Sequence, residues 1–460
     1  MASRSLAETA LAGLRQSFTG ELLTPGDSGY DETRALFNSM IDRRPSVIAL
    51  CQTDQDVARA IRFGRDVGLE IAVRGGGHGV AGTATTEGGL VVDLRRMNKV
   101  TVDPSARTVR VGGGATMADL DTATQPYALA TTGGRVSTTG VGGFVLGGGS
   151  GWLERAFGLA CDNLLAADMV TADGSVQRVS PHTERELFWA LHGGGGNFGA
   201  ATSLTLRLHP LPALTAALLM WPAEAGPEVL RAYRDFMETA PDEIGGGLIY
   251  LTGPDEEFVP EGLVGKLVCA VLVTCTGPES QAREIVAPLL GLGHTGEMIA
   301  QMPYAQLQSM LDDPPGYRNY WSAEHLDTFP DEAVGRFCAR ARDMVVPSPS
   351  QHVLFPHGGA VAREGAEFPV PWRSAPWVAH PFGLWEDPAD DERARHWARA
   401  LREDMQPWAN GAVYLNFIGQ EGEERVIAGF GPENYRRLAE IKARYDPDNV
   451  FHLNHNIRPA

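Results

Sequence analysis

Along the first two hundred residues, short apolar runs alternate with segments whose apolar positions fall three and four apart, the pattern of strands interleaved with helices. SVIAL (Ser46–Leu50) predicts a strand, and TDQDVARAIRFGRDVG predicts the helix after it. Thr53 caps that helix, Asp56 completes a capping box and Gly68 ends it. A strand at Glu70–Val73 leads into a glycine-rich run, and LVVDL (Leu90–Leu94) predicts the next strand. KVTVDPSARTVRVGGG predicts a hairpin turning at Pro104–Ser105, and a second hairpin turns at Asp173–Gly174. A helix near Met117–Ala123 lies between them. The N-terminal MASRSLAETALAGLRQSF has helical spacing, with acidic Glu8 and no long apolar core, unlike a secretory leader.

The rhythm changes at HPLPAL (His209–Leu214), where two prolines mark a boundary. Beyond it LTAALLMW, GGGLIYLTG, GKLVCAVLVTC, SQHVLF and WVAHPFGLW predict strands, and GPEVLRAYRDFMETA and DERARHWARALREDM predict helices. This pattern predicts an antiparallel sheet backed by helices on one face, and α+β as the fold class. A last helix stops at Asp446–Pro447 and gives way to an asparagine-rich tail. The expected division is residues 1–210 (core about 39–210), 211–410, and a closing segment, 411–460, that returns to the first domain.

The 460 residues suffice for two or three domains, and 43% hydrophobic with 21% charged residues is ordinary for a globular chain. The formal net charge of −18 argues against nucleic acid or an anionic membrane as a partner. No run reaches eighteen apolar residues, so no membrane span is expected. Cys51, Cys161, Cys269, Cys275 and Cys338 form no C-x-x-C pair and are odd in number, which points to reduced thiols and a cytoplasmic setting. His452 and His455 are the only close histidine pair and have no cysteine or carboxylate cluster beside them, so no metal site is expected.

Three glycine belts carry the chemical signal. In the first, Gly77, Gly79 and Gly82 satisfy G-x-G-x-x-G after a strand, which raises a Rossmann dinucleotide site. That site needs a helix to open directly after the glycines and an acidic residue about twenty positions on. TATTEGGLVVDL follows instead, and Asp93 comes too early. The other belts are GGRVSTTGVGGFVLGGGSGW (Gly133–Trp152) and HGGGGNFGAATSLTLRL, which ends near Leu208. Three belts, each following a strand-like segment, predict a long phosphate-bearing cofactor threaded past backbone N–H groups.

RGGGHGVAG, TTGVGGFVLGGGSGW, FGLACDNLLAADMVTADG and LFWALHGGGGNFG, in that order, resemble the PCMH-type flavin-binding domain of the vanillyl-alcohol-oxidase superfamily. With IKARYDPDNVFHLNHNI near the end, the chain resembles specifically the berberine-bridge-enzyme-like FAD-linked oxidases. Among these it is most similar to the bacterial enzymes of natural-product biosynthesis. The resemblance implies FAD in a two-part first domain, a small-molecule substrate in the second, dioxygen as electron acceptor, and a monomer or homodimer. It implies that His78 is bonded covalently to the flavin 8α-methyl carbon. A neutral imidazole is a good nucleophile, and its small neighbours let the ring approach. The other cofactor contacts implied are Arg74, Gly75, Gly76, Gly77 and Gly79; Thr138, Thr139, Gly140, Gly143 and Gly149; Asp162, Asn163 and Val170; and Asn416, Asn454 and Asn456. Many relatives carry a second link through a cysteine just before GVGG. Val136 stands there, so a single bond is expected, and Cys161 reads as a small buried residue.

For catalysis, the resemblance places Thr139 beside the flavin, where it gates or orients oxygen. VYLNF resembles the family's Y-x-N-Y segment: Tyr414 and Asn416 match, but the second tyrosine, often the base, is Phe417. His380 falls where some relatives place a carboxylate, and a histidine titrating near neutrality can serve as base. His352 and His357 flank VLFP, with Val353 where relatives carry a glutamate. Trp152, Tyr250 and His352 are expected in the substrate pocket. The functions implied are oxidation or oxygenation of a secondary metabolite, carbohydrate or alcohol oxidation, and non-redox cyclisation in the same pocket.

Overall fold

The computed structural model describes residues 2–312 and 315–460. In the first half, the strands Ile71–Arg74, Leu90–Asp93 and Val47–Leu50 form a parallel sheet, with Glu21–Leu23 antiparallel at its edge. The helix Asp54–Asp66 starts where expected. Thr53 accepts from the Asp56 N–H, the Asp56 carboxylate accepts from the Thr53 N–H, and Gly68 takes φ +71° just beyond the end. A second sheet is antiparallel, in the order Val100–Asp103, Thr108–Gly112, Ala200–Arg207, Leu164–Val170, Val176–Val179. Both expected hairpins lie in it.

The second half is an eight-stranded antiparallel sheet. Gly296–Gln301, Thr215–Pro222, Leu267–Cys275, Ile244–Thr252, Gln351–Pro356, Trp377–Trp385 and Arg318–Trp321 follow one another across it, and Glu324–Leu326 also pairs with Trp377–Trp385. Side chains alternate between its faces. Ala217, Leu219 and Trp221 pack under the helices Gly226–Thr239, Asp331–Ala341 and Asp391–Met405, whereas Ala216, Leu218 and Met220 pack towards the first half. The glycine belts therefore face one side of this sheet, and the helices cover the other.

The closing segment, with helices Glu423–Phe430 and Pro432–Tyr445, folds back onto the third belt. Buried Lys442 donates to the carbonyls of Asn197 (3.0 Å) and Phe451 (2.8 Å) and pairs with Asp446 at 3.2 Å. Burial pushes its amine down to about 8. Asp446 in turn accepts from the N–H groups of Val450 and Phe451, and the Ile457 N–H donates to Asn197 Oδ1 at 2.9 Å. No helix among the described residues is long and apolar enough to cross a membrane. All five cysteines are free and buried.

Candidate cofactor and active site

Between the belts and the facing sheet lies a cavity of about 1860 Å³, counted with its open mouth. Its floor is backbone. No described residue accepts a hydrogen bond from the N–H groups of Gly75, Gly76, Gly77, His78 or Gly79, and Gly77 takes φ +75°. Successive unpaired N–H groups around a left-handed residue make a concavity that holds an anion such as a phosphate. The first and second belts cross in contact: a Cβ on Gly76 would lie 2.4 Å from Gly140 N. Gly143, Gly195 and Gly196 line the cavity, and a Cβ on any of them would meet no protein atom within 4 Å. On the same wall, the buried Asn454 Oδ1 has no partner.

His78 stands on this wall with its ring stacked on Phe37 (centroids 3.9 Å, planes 21° apart) and Nε2 2.8 Å from Thr138 Oγ1. The surrounding protein desolvates the ring and pushes it down to about 4, so it is neutral at physiological pH. Across the cavity, His380 Nδ1–H donates to the Ser322 carbonyl at 2.7 Å, which leaves Nε2 as the lone-pair nitrogen. Burial pushes this ring down to about 3, with Arg135 adding to the effect. Phe417 stacks on it (4.1 Å, 9°) and Trp321 meets it edge-on. The Tyr414 hydroxyl accepts from the Gly149 N–H (3.0 Å) and from Asn416 Nδ2 (2.9 Å), and burial raises its pKa well above the usual phenol range. Tyr414 is thus a hydrogen-bonding post. His380 is unprotonated at neutral pH, but burial takes it away from the expected titration near neutrality and makes it a weak proton acceptor.

Arg135, Trp152 and Phe355 form the adjoining wall. The guanidinium lies 3.8 Å from the Phe355 ring centroid and 5.0 Å from that of Trp152, and pairs with Glu154 at 3.3 Å. The Trp152 Nε1–H is buried without an acceptor. Thr139 also lines the cavity, and no described residue bonds its hydroxyl.

Two sequence families match the chain: "FAD binding domain" over residues 45–180 and "Berberine and berberine like" over 413–458. (R)-6-Hydroxynicotine oxidase of Paenarthrobacter nicotinovorans is 32% identical, with 96% of this chain and 97% of the relative covered. An FAD-linked oxidoreductase of Aspergillus terreus is 29% identical, with 99% and 97% covered. The crystal structure of 6-hydroxy-D-nicotine oxidase from Arthrobacter nicotinovorans superposes with a TM-score of 0.86 at 30% identity, over 96% of this chain and 98% of that one. The chain belongs to the berberine-bridge-enzyme-like family of FAD-linked oxidoreductases. The fold extends to glucooligosaccharide oxidase of Acremonium strictum (TM-score 0.85, 22% identity, 98% and 99% covered), whose FAD is named as 6-S-cysteinyl, 8α-N1-histidyl.

The cavity fits the FAD of this berberine-bridge-like enzyme. Unpaired N–H groups at Gly75–Gly79 suit its phosphates, and side-chain-free walls at Gly143, Gly195 and Gly196 suit close approach of its rings. Of the residues expected from sequence, the structure brings Gly75, Gly76, Gly77, His78, Gly79, Thr139, Gly140, Gly143, Trp152, His380, Tyr414, Asn416 and Asn454 onto one cavity. Val136 lines it too, so no thiol stands at the second-link position. Cys161 is buried away from the wall, its thiol pushed up by burial.

Other expectations need correction. Tyr250 and His352 do not line the cavity. On their strands it is Ile249 and Val353 that face it, so Tyr250 and His352 point to the helix side, where the His352 ring packs 4.1 Å from that of Phe337. His357 is buried with Nδ1 on the Ala375 carbonyl (3.2 Å) and Nε2 3.8 Å from Glu154. Arg74 anchors the first belt from behind, donating to the carbonyls of Thr33, Arg34 and Ala84 and pairing with buried Asp93 at 3.7 Å. Asp162 pairs with Arg373 at 2.9 Å, Asn163 bonds the Phe157 and Leu159 carbonyls, and Val170 is core. Gly149, Thr138 and Asn456 lie off the wall, the first two acting through Tyr414 and His78. The third belt, expected at the cofactor without named positions, lines the cavity with Gly193–Asn197, whereas sequence reading missed Arg135, Trp321, Phe355, Phe382 and Gln351 as lining residues. Gln351 and Phe355 were accessible to it, because they share the face of Val353 at spacing two.

Proposed function

We propose that this FAD-linked oxidoreductase oxidises an aromatic or polycyclic secondary-metabolite intermediate, with His380 as general base, His78 as the single covalent tether and dioxygen as final acceptor. Bound FAD supplies the hydride acceptor. His380 Nε2 takes the substrate proton, because Ser322 holds its Nδ1–H and so leaves the Nε2 lone pair free. The observation that carries the reading is the aromatic lining of the cavity: Trp321, Phe382 and Phe417 pack around the unprotonated His380 imidazole, and Trp152 and Phe355 line the same cavity. Flat apolar rings stack against such walls, whereas a sugar needs several polar partners. Among the relatives, the hydroxynicotine oxidases are named for a substrate that carries a hydroxylated aromatic ring, which supports the same class. The buried free thiols suit a reducing, cytoplasmic setting.

Anaerobic mixing of the holoenzyme with a panel of hydroxylated aromatics, both 6-hydroxynicotine enantiomers and cello- and chito-oligosaccharides tests this. Aromatics should bleach the flavin and sugars should not. Bleaching by sugars alone overturns the aromatic reading, and conversion without bleaching identifies a cyclase. The unbonded Thr139 hydroxyl favours a second reading, oxygen transfer to the product. Product labelled under heavy oxygen supports it, and stoichiometric peroxide without label refutes it.

A further inference from the structure

We infer that Thr138 positions His78 for covalent attachment of the flavin: its hydroxyl accepts the Nε2–H, leaves Nδ1 as the lone-pair nitrogen of a ring that lines the cavity, and passes the displaced proton to solvent. This rests on the reading of His78 as the tether.

Three observations converge on that side chain. Nε2 and Thr138 Oγ1 are 2.8 Å apart, hydrogen-bond distance, and Nδ1 has no partner among the described residues. Phe37 stacks on the ring at 3.9 Å and 21°, which fixes its plane while Thr138 fixes its rotation. Thr138 itself is exposed, so one oxygen reaches both the imidazole and water. An imidazole carries one N–H when neutral, and the partner of one nitrogen decides which nitrogen is nucleophilic. The Thr138 hydroxyl can donate or accept; in the accepting role proposed here it keeps the proton on Nε2 and leaves Nδ1 nucleophilic.

The reaction balances as follows. A C–H bond of the 8α-methyl group and the imidazole N–H break, one C–N bond forms between that carbon and Nδ1, and dioxygen takes the two electrons and two protons as hydrogen peroxide. Attack through Nδ1 makes the ring cationic for as long as Nε2 keeps its proton. The site that desolvates His78 disfavours that cation, so a proton acceptor at Nε2 lowers the barrier.

The test follows attachment rather than turnover. The full chain is produced in flavin-depleted cells and given FAD at concentrations that saturate its non-covalent binding, measured by fluorescence quenching. The covalent fraction is then read over time from the mass of the intact chain and from in-gel flavin fluorescence after acid denaturation. Thr138→Val should couple at least about 10²-fold more slowly than wild type, the low end for a positioned proton acceptor. Thr138→Ser should restore coupling, and Phe37→Leu should slow it less than Thr138→Val. Wild-type rates in Thr138→Val, or a Thr138→Ser chain as slow as Thr138→Val, overturn the proposal. Coupling in His78→Ala is a different failure: it removes the tether reading itself, and the role of Thr138 with it.

Discussion

Gly143 and Gly76 both line the cavity, yet a methyl group added to each should have opposite consequences. At Gly143 a Cβ meets no protein atom within 4 Å, and the residue lies in the short helix Val141–Leu146. Gly143→Ala should therefore leave the apoprotein as stable as before, or up to about 1 kcal/mol more stable through helix propensity. The same methyl intrudes where FAD would lie. A misplaced methyl in close packing costs about 1–3 kcal/mol, a weakening of FAD binding by roughly 5- to 150-fold. At Gly76 the added Cβ lies 2.4 Å from Gly140 N and 2.6 Å from Gly140 Cα, with backbone on both sides and no flexible side chain to yield. Gly76→Ala should lower the apoprotein midpoint before any cofactor is added. Both variants are made in a His78→Ala background, so that FAD binding stays reversible, and each is measured by thermal unfolding and FAD titration. If Gly143→Ala binds FAD as tightly as its parent while folding normally, the cofactor does not lie against that wall and the assignment of the cavity is wrong.

His380→Gln should slow anaerobic flavin reduction by about 10²–10⁴-fold with any substrate that bleaches the wild type, and an unchanged rate would move the base elsewhere. Because burial holds His380 near 3, the wild-type reduction rate should show no His380 limb between pH 5 and 8; a limb near 6.5 would contradict the buried geometry. Val136→Cys places a thiol on the cavity wall at the second-link position, and its chain should gain a doubly attached flavin by peptide mapping. His352 is also held near 3 by burial, so its neutral form stabilises the fold fully above pH 6.5, and that contribution is lost as pH falls from 6.5 towards 3. The drop from 6.5 is worth on the order of 4–5 kcal/mol, so His352→Phe should flatten the fall in unfolding midpoint between pH 7 and 4.5; a curve parallel to wild type would refute this.

Most elements announce themselves in the sequence. Thr53 with Asp56, Gly68 and the alternating run LTAALLMW mark their ends and faces locally, and the structure follows them. In the large sheet the strands that sequence reading left out are short and lie at or near its margin: half-exposed positions blur the pattern of Gly296–Gln301 and Arg318–Trp321, and Glu324–Leu326 is three residues long with Glu324 and His325 buried where an apolar run would be expected. At the site, Tyr250 and His352 were placed on the correct strands but the wrong faces. Parity decides that, and Ile249 and Val353 hold the cavity-facing register. Phe417 read as the loss of a catalytic tyrosine. In three dimensions it is the ring that holds His380 in plane, a pairing across 37 residues that no local pattern encodes. Arg74 and Asp162 failed differently: the family resemblance implied them as cofactor contacts, but both are held in buried ion pairs that shape the loops.

The tether itself can be read directly. Holoenzyme denatured in acid and digested with protease should yield one yellow peptide, the one containing His78, with no flavin on the peptides bearing Val136 or Cys161. Flavin released free into the acid supernatant, or carried by any other peptide, would contradict the assignment of this cavity as a single-link FAD site.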